Sequence, residues 1–162
     1  MRQLDKSAVV AALPWDGLHA ALRAMFAAGC TAPLRHVHPM PEGGTLLLMP
    51  ARNETHAGVK IVHVAPGNAA RGLPAVHAQY LLSDAVTGAP LALLDGGALT
   101  DRRTAAASVL AASFLARADS RRLLVLGAGQ VAAALAEAHH AHFRLAEIAI
   151  WARRPERAAA LA

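Results

Sequence analysis

The sequence predicts an α/β protein in two parts: an α+β portion over residues 1–119 and the start of a parallel α/β domain over residues 120–162. Three observations carry this. Five short strand-like runs lie between Leu34 and Leu94, separated by Pro- and Gly-containing segments. Leu123–Leu126 is a continuous apolar run of the kind buried on both faces of a parallel sheet. A glycine turn, a helix and a second strand follow it directly, which is β-α-β order.

The elements follow in turn. Residues 14–28 read as a helix, with Pro14 suited to the first turn and Leu18, Leu22, Met25 and Phe26 at helical spacing. Gly29 is a stop signal. Leu34–His38, Thr45–Met49 and Val59–Val64 read as strands, and Gln79–Ser83 with Leu91–Leu94 as a hairpin around Thr87-Gly88-Ala89-Pro90. Gly96-Gly97 breaks the last of these, and Thr100 or Asp101 is expected to cap a helix running to about Arg117. Then come a strand at Leu123–Leu126, a helix at Val131–Phe143, a strand at Ile148–Trp151 and the opening of a helix at Pro155–Ala162. A complete doubly wound fold has two βαβαβ halves. The second portion therefore reads as an incomplete, truncated domain.

Composition narrows the function classes. With 55% hydrophobic and 17% charged residues, the chain is neither intrinsically disordered nor short of core. Alanine, about a quarter of the chain, supplies much of the apolar fraction. Aromatics at 4% argue against stacking platforms for single-stranded nucleic acid. The net charge of +5 is spread over scattered arginines that never form a block longer than two, which favours small anionic ligands over nucleic acid. The single cysteine, Cys30, excludes an intrachain disulfide and reads as a small buried residue. Neither a leader peptide nor a membrane span is visible, so a cytoplasmic protein without a membrane partner is expected.

Three signals carry chemistry. Gly127-Ala128-Gly129-Gln130-Val131-Ala132 fits G-x-G-x-x-G/A between a strand and a helix. The first glycine permits the turn, the second admits a pyrophosphate, and the small Ala132 allows close helix–strand packing. This predicts a dinucleotide-binding, Rossmann-type unit. After the second strand stand Trp151-Ala152-Arg153-Arg154, with no carboxylate to bond a ribose diol. A guanidinium suits a 2′-phosphate, so NADPH is favoured over NADH.

Lys60 is one of only two lysines and sits inside the apolar strand Gly58–Val64. Period-two alternation turns it away from Val59 and Ile61, onto the side of Val62. There it serves proton transfer or carboxylate binding, or it merely snorkels to solvent. The third signal, Thr100-Asp101-Arg102-Arg103-Thr104, puts two arginines in the first turn of a helix, against the dipole. An anion bound there would account for them. Arg35 and Arg52 are further anion-binding candidates.

Weaker candidates remain. His36 and His38 share a strand face and rank above the helix histidines for substrate contact. His139 and His142 approach one face of the helix at i, i+3, but with His140 they read as solvated surface, and no metal site is expected. Glu54 reads as a solvated loop carboxylate.

Several stretches together resemble the ornithine cyclodeaminase/mu-crystallin family. They are Pro33-Leu34-Arg35, Leu48-Met49-Pro50-Ala51, Gly58-Val59-Lys60, Pro66-Gly67-Asn68, Gly72-Leu73-Pro74, Asp84–Gly88, Leu91–Asp95, Thr100 with Arg103–Ala106, and Gly127–Gln130. They run in family order, and the glycine turn with Trp-Ala-Arg-Arg is similar to the bacterial imino-acid reductase branch. The resemblance implies that residues 1–119 form a substrate-binding and dimerisation domain and residues 120–162 open a dinucleotide-binding Rossmann domain. It implies a catalytic Lys60 and substrate contacts from Arg35, Arg103 and Met49. It implies cofactor contacts from Thr104, Gly127, Gly129, Gln130 and Val131, beside the Arg153 and Arg154 read above. It also implies a homodimer acting on a small carboxylate-bearing imine or amino acid.

The expected activity is NADPH-dependent reduction of cyclic ketimines such as Δ1-pyrroline-2-carboxylate to L-proline. The alternatives are an ornithine cyclodeaminase with tightly bound NAD, releasing ammonia, and a non-catalytic mu-crystallin-like binder or inactive truncated chain. Ala75 departs from the threonine that some cyclodeaminases place against the cofactor. Family members are about twice this length, so the isolated chain is expected to be inactive.

Overall fold

A computed structural model describes residues 1–162. The chain is mixed α/β, with one six-stranded and one two-stranded sheet. It opens with β1 (Arg2–Leu4) and α1 (Lys6–Ala12). The Asp5 carboxylate caps α1, accepting from the Ala8 N–H at 2.9 Å and the Ser7 hydroxyl at 2.8 Å. These bonds hold its pKa below the usual carboxylate range. Both elements escape sequence reading because neither is long enough to display a period.

Helix α2 (Trp15–Ala28) then precedes strands β2 (His36–Met40), β3 (Gly44–Arg52), β4 (His56–Val64), β5 (Val76–Asp84) and β6 (Pro90–Asp95). Every expected strand is present, mostly longer than read. The sheet order is β1-β6-β5-β4-β3-β2. Strand β1 runs parallel to β6, and all other pairs are antiparallel. The β5–β6 hairpin closes because the Asp84 carboxylate accepts from the N–H groups of Val86 and Thr87 and from the Thr87 hydroxyl.

Helix α3 (Gly96–Leu115) corrects the expected start at Thr100 or Asp101. Asp95 is the cap, its Oδ1 accepting from the Ala98 N–H at 2.7 Å. Arg102 and Arg103 thus lie beyond the first turn, where the dipole argument no longer applies. Arg102 has a structural role instead. It is 8% exposed and donates from Nε (3.1 Å) and Nη2 to the Leu13 carbonyl. Its guanidinium carbon also stacks 3.5 Å from the Trp15 ring centroid.

Strand β7 (Arg122–Leu126), helix α4 (Gln130–His142) and strand β8 (Glu147–Trp151) complete a parallel β-α-β unit, followed by α5 (Pro155–Leu161). Val125 is buried, whereas Leu124, Leu126 and Trp151 on the other side are 60%, 72% and 56% exposed.

Contacts divide the chain into two compact units. The first comprises Met1–Ala12 and Ala28–Leu99; the second comprises Leu13–Ala27 and Thr100–Ala162. Val9 is fully buried in the first. In the second, Ala105, Val109, Ala134 and Ala138 form a core, with Trp15, Leu135 and Phe143 packed against it. Three of those four buried residues are alanines, so α3 and α4 meet through small side chains. No helix is long and apolar enough to cross a membrane.

The helix histidines differ from expectation. His139 is buried, its Nδ1 2.9 Å from the Leu135 carbonyl oxygen and its ring stacked on Phe143, so it is packing rather than solvated surface. His142 meets His19 of α2, with ring centroids 4.4 Å apart, in a small cleft also lined by Trp15, Asp16 and Val109. The His19 Nε2 is buried without a hydrogen-bond partner. Desolvation, His142 and Arg23 push the His19 pKa below its ordinary 6.5, while Asp16 opposes them.

The folded unit therefore binds this proton less readily than the unfolded chain. The stability involved is present above the unfolded value and is lost as pH falls through the folded one. Thermal melts should show a lower midpoint at pH 5.5 than at pH 7.5, and His19→Phe should flatten that difference. An unchanged pH dependence in the variant would remove His19 as its source.

Candidate functional site

In the first unit the candidate chemistry lies on one face of the large sheet. Strand β4 is mostly β-branched and small residues, and its alternation sends Lys60 to one face and Val59 and Ile61 to the other. The register pairs Lys60 with Met49 on β3 and with Tyr80 on β5. Residues directly opposite in an antiparallel ladder share a face. Met49, Lys60 and Tyr80 therefore form a row, with Val62 buried beside Lys60. The structure thus brings together two residues singled out from the sequence, Lys60 and Met49, and adds Tyr80.

Arg35 stands in the irregular segment just before β2 and is exposed. His36 pairs with Leu48 and His38 with Leu46, so both share a face with Ile61 and point away from the Lys60 side. This register sets both histidines on the sheet face opposite Lys60. Arg52 is exposed and its backbone pairs with Thr31; Glu54 is an exposed loop residue. Cys30 is exposed rather than buried, and it lies near enough to Tyr80 to act on the phenol.

In the second unit, Arg103 is exposed and Thr104 half-buried, adjacent on α3. The glycine turn joins β7 to α4. Gly127 has φ +125°, which an L side chain rarely adopts, and its N–H donates to the Trp151 carbonyl at 2.7 Å. That bond ties the turn to the C-terminal end of β8, where Arg153 and Arg154 follow. Both arginines are exposed, and the ion pairs Arg117–Asp119 and Arg122–Glu147 leave them out.

The turn fits a dinucleotide phosphate. A Cβ built on Gly127 or Gly129 would meet nothing within 4 Å, so the space above the turn is open. Gly129 is the N-cap of α4 and carries no side-chain capping bond, so the positive end of the helix faces that space. Gln130 and Val131 form the first turn of α4. These residues would hold the pyrophosphate, and Arg153 and Arg154 would lie at the ribose end.

Comparison with known proteins follows the same lines. Residues 7–162 match the ornithine cyclodeaminase/mu-crystallin family. The chain is 44% identical over 129 residues to Delta(1)-pyrroline-2-carboxylate reductase of Paracoccus denitrificans, covering 78% of this chain and 41% of that one. It superimposes on Thermococcus litoralis Delta(1)-pyrroline-2-carboxylate reductase, solved in complex with NADH and L-proline. The TM-score there is 0.84 at 31% identity, covering 100% of this chain and 52% of that one. An archaeal alanine dehydrogenase dimer with bound NAD gives a TM-score of 0.87 at 31% identity, covering 99% and 51%. The chain spans about half the length of the curated relatives it matches. With this match over nearly its whole length, the chain belongs to the ornithine cyclodeaminase/mu-crystallin family.

Proposed function

We propose that the natural gene product is an NADPH-dependent reductase of cyclic ketimines such as Δ1-pyrroline-2-carboxylate, forming L-proline as a homodimer. In this reading residues 1–119 carry substrate binding and dimerisation, and residues 120–162 begin the dinucleotide-binding domain. The observation that carries it is the open glycine turn tied to a strand end that offers two arginines and no carboxylate. The names of the similar proteins, pyrroline-2-carboxylate reductases among them, support the substrate class.

NADPH, when bound, supplies the hydride that reduces the C=N carbon. The chain's own residues orient and neutralise. Arg35 in the first unit and Arg103 in the second are each assigned, separately, as guanidinium ligands for a substrate carboxylate, which orients the imine for reduction. Lys60 is the catalytic group, donating a proton to the imine nitrogen, and Met49 beside it packs against the substrate ring. Thr104, Gly127, Gly129, Gln130 and Val131 bind the cofactor phosphates, and Arg153 and Arg154 pair with the 2′-phosphate.

The test is product analysis on the natural gene product. With NADPH and Δ1-pyrroline-2-carboxylate it should consume reductant and form L-proline in equal amounts. Release of ammonia from ornithine without added reductant would replace this reading with a cyclodeaminase.

Cofactor choice is tested separately. The double substitution Arg153→Ser, Arg154→Ser should weaken NADPH by about tenfold to a hundredfold, as the loss of charge-assisted bonds worth about 1.5–3 kcal/mol requires. It should leave NADH nearly unchanged. Fluorescence titration reads both, and equal losses for the two cofactors would contradict a 2′-phosphate role.

A further inference from the structure

We propose that His19 of α2 and His142 of α4 form a proton-operated latch: α2 stays docked on the second unit while His19 is neutral, and is released when both rings carry a proton. The latch is independent of the reductase reading.

The two rings meet with centroids 4.4 Å apart and planes inclined at 35°. Both line the small cleft between α2, α3 and α4, all within the second unit. His19 is half-buried, and its Nε2 is shut off from solvent with no hydrogen-bond partner. A neutral imidazole tolerates one unpartnered nitrogen. A protonated ring must donate from both, and Nε2 has nothing to donate to. The site therefore suits the neutral ring and penalises the charged one.

The surrounding groups set the direction of the effect. On α2 itself, Asp16 lies about one turn before His19 and Arg23 one turn after it, and they act in opposite senses. From α3 the cleft receives only Ala106 and Val109. Arg102 of α3 is turned to the Leu13 carbonyl and the Trp15 ring. From α4 it receives Ala138 and His142, while His139 is held by Phe143 and the Leu135 carbonyl. Desolvation, then His142, then Arg23 make the docked His19 bind its proton less readily. Docking is thus favoured at high pH and is lost as pH falls.

The two helices respond differently to the charge. His142 is exposed and stands in the last turn of α4, where the helix dipole favours a cation. Its ring is braced edge-on against Phe143 at 4.8 Å, and Phe143 packs on the core. Helix α2 has 14 residues and fully buries only Leu18. Repulsion between the two charged rings is therefore relieved by moving α2.

Connectivity gives the release a consequence. Residues 1–12 and 28–99 belong to the first unit, so docked α2 makes the chain cross between units at Ala12–Leu13, Ala27–Ala28 and Leu99–Thr100. Once α2 leaves the second unit, Leu99–Thr100 is the remaining crossing. Acid thereby reduces the covalent tethering of the unit that carries the glycine turn.

Amide hydrogen exchange on the natural gene product, followed at pH 7.5 and pH 5.5 and corrected for intrinsic rates, tests the latch. At pH 5.5 the protection of α2 should fall at least about threefold further than that of α3 and α4, the mark of local rather than global opening. In His142→Phe, which keeps a ring against His19 but takes no charge, this excess loss should disappear. His19 should then also bind its proton more readily in an NMR titration. His140→Phe, an exposed position on the same helix, should behave as wild type. Equal changes in all three helices at pH 5.5, or an acid-sensitive α2 that persists in His142→Phe, overturn the proposal. The first of these outcomes needs no variant. Neither readout uses turnover, so failure of the reductase assignment would leave both intact.

Discussion

Lys60→Ala should lower kcat/KM for imine reduction by the natural gene product by about two to four orders of magnitude, the range set by loss of a positioned proton donor. NADPH binding should remain measurable, because the proton donor acts in the chemical step while the cofactor is bound by other residues. The substitution should also cost little stability, since β4 keeps its ladder on both sides. Steady-state kinetics with a parallel fluorescence titration of NADPH checks both halves of the prediction. Turnover retained at wild-type rate would remove Lys60 from the reaction.

The largest effect on stability belongs to Arg102. Arg102→Ala removes two charge-assisted bonds to the Leu13 carbonyl and the stacking on Trp15, all within the second unit. It also leaves a cavity where an almost fully buried side chain stood. Hydrogen bonds to a charged group contribute about 1.5–3 kcal/mol, and a desolvated cation–π contact about 2 kcal/mol. A loss of about 3–5 kcal/mol is the expected result. For a unit of this size it should lower the unfolding midpoint by roughly 10 °C or more.

Its neighbour provides the control. Arg103 is exposed, and Arg103→Ala should change stability by no more than about 0.5 kcal/mol while weakening substrate binding. Differential scanning calorimetry on the two variants separates them. Equal melting temperatures would show that the buried guanidinium has no structural weight.

The contrast between these arginines also shows where sequence reading stops. Two adjacent arginines near a helix start signal an anion site. Neighbours on a helix point about 100° apart, however, and only packing reveals that one of them is committed to Leu13 and Trp15. The position of that helix start was itself misread. Gly96-Gly97 looks like a strand breaker, yet the Asp95 carboxylate caps the chain there and α3 begins at once.

The β7-α4-β8 unit was legible because three local signals agree: an apolar strand, a glycine turn and a second strand. The hairpin at Thr87-Gly88 was legible for a similar reason, since Asp84 organises it within five residues. Relations across the sheet were not legible. His36 and His38 share a face with each other, as alternation requires, but only the register shows that Lys60 points from the other one. The same register was needed to place Tyr80, whose ring over Gly58 depends on its pairing with Lys60, 20 positions away in the chain.

Isotope transfer tests the proposed reaction most directly. NADPH carrying deuterium at the nicotinamide C4 position that is transferred should be incubated with Δ1-pyrroline-2-carboxylate and the natural gene product. The account predicts L-proline bearing one deuterium on its α carbon, formed in step with NADPH oxidation. Proline without deuterium, or no proline while ornithine yields ammonia in the absence of reductant, would contradict it.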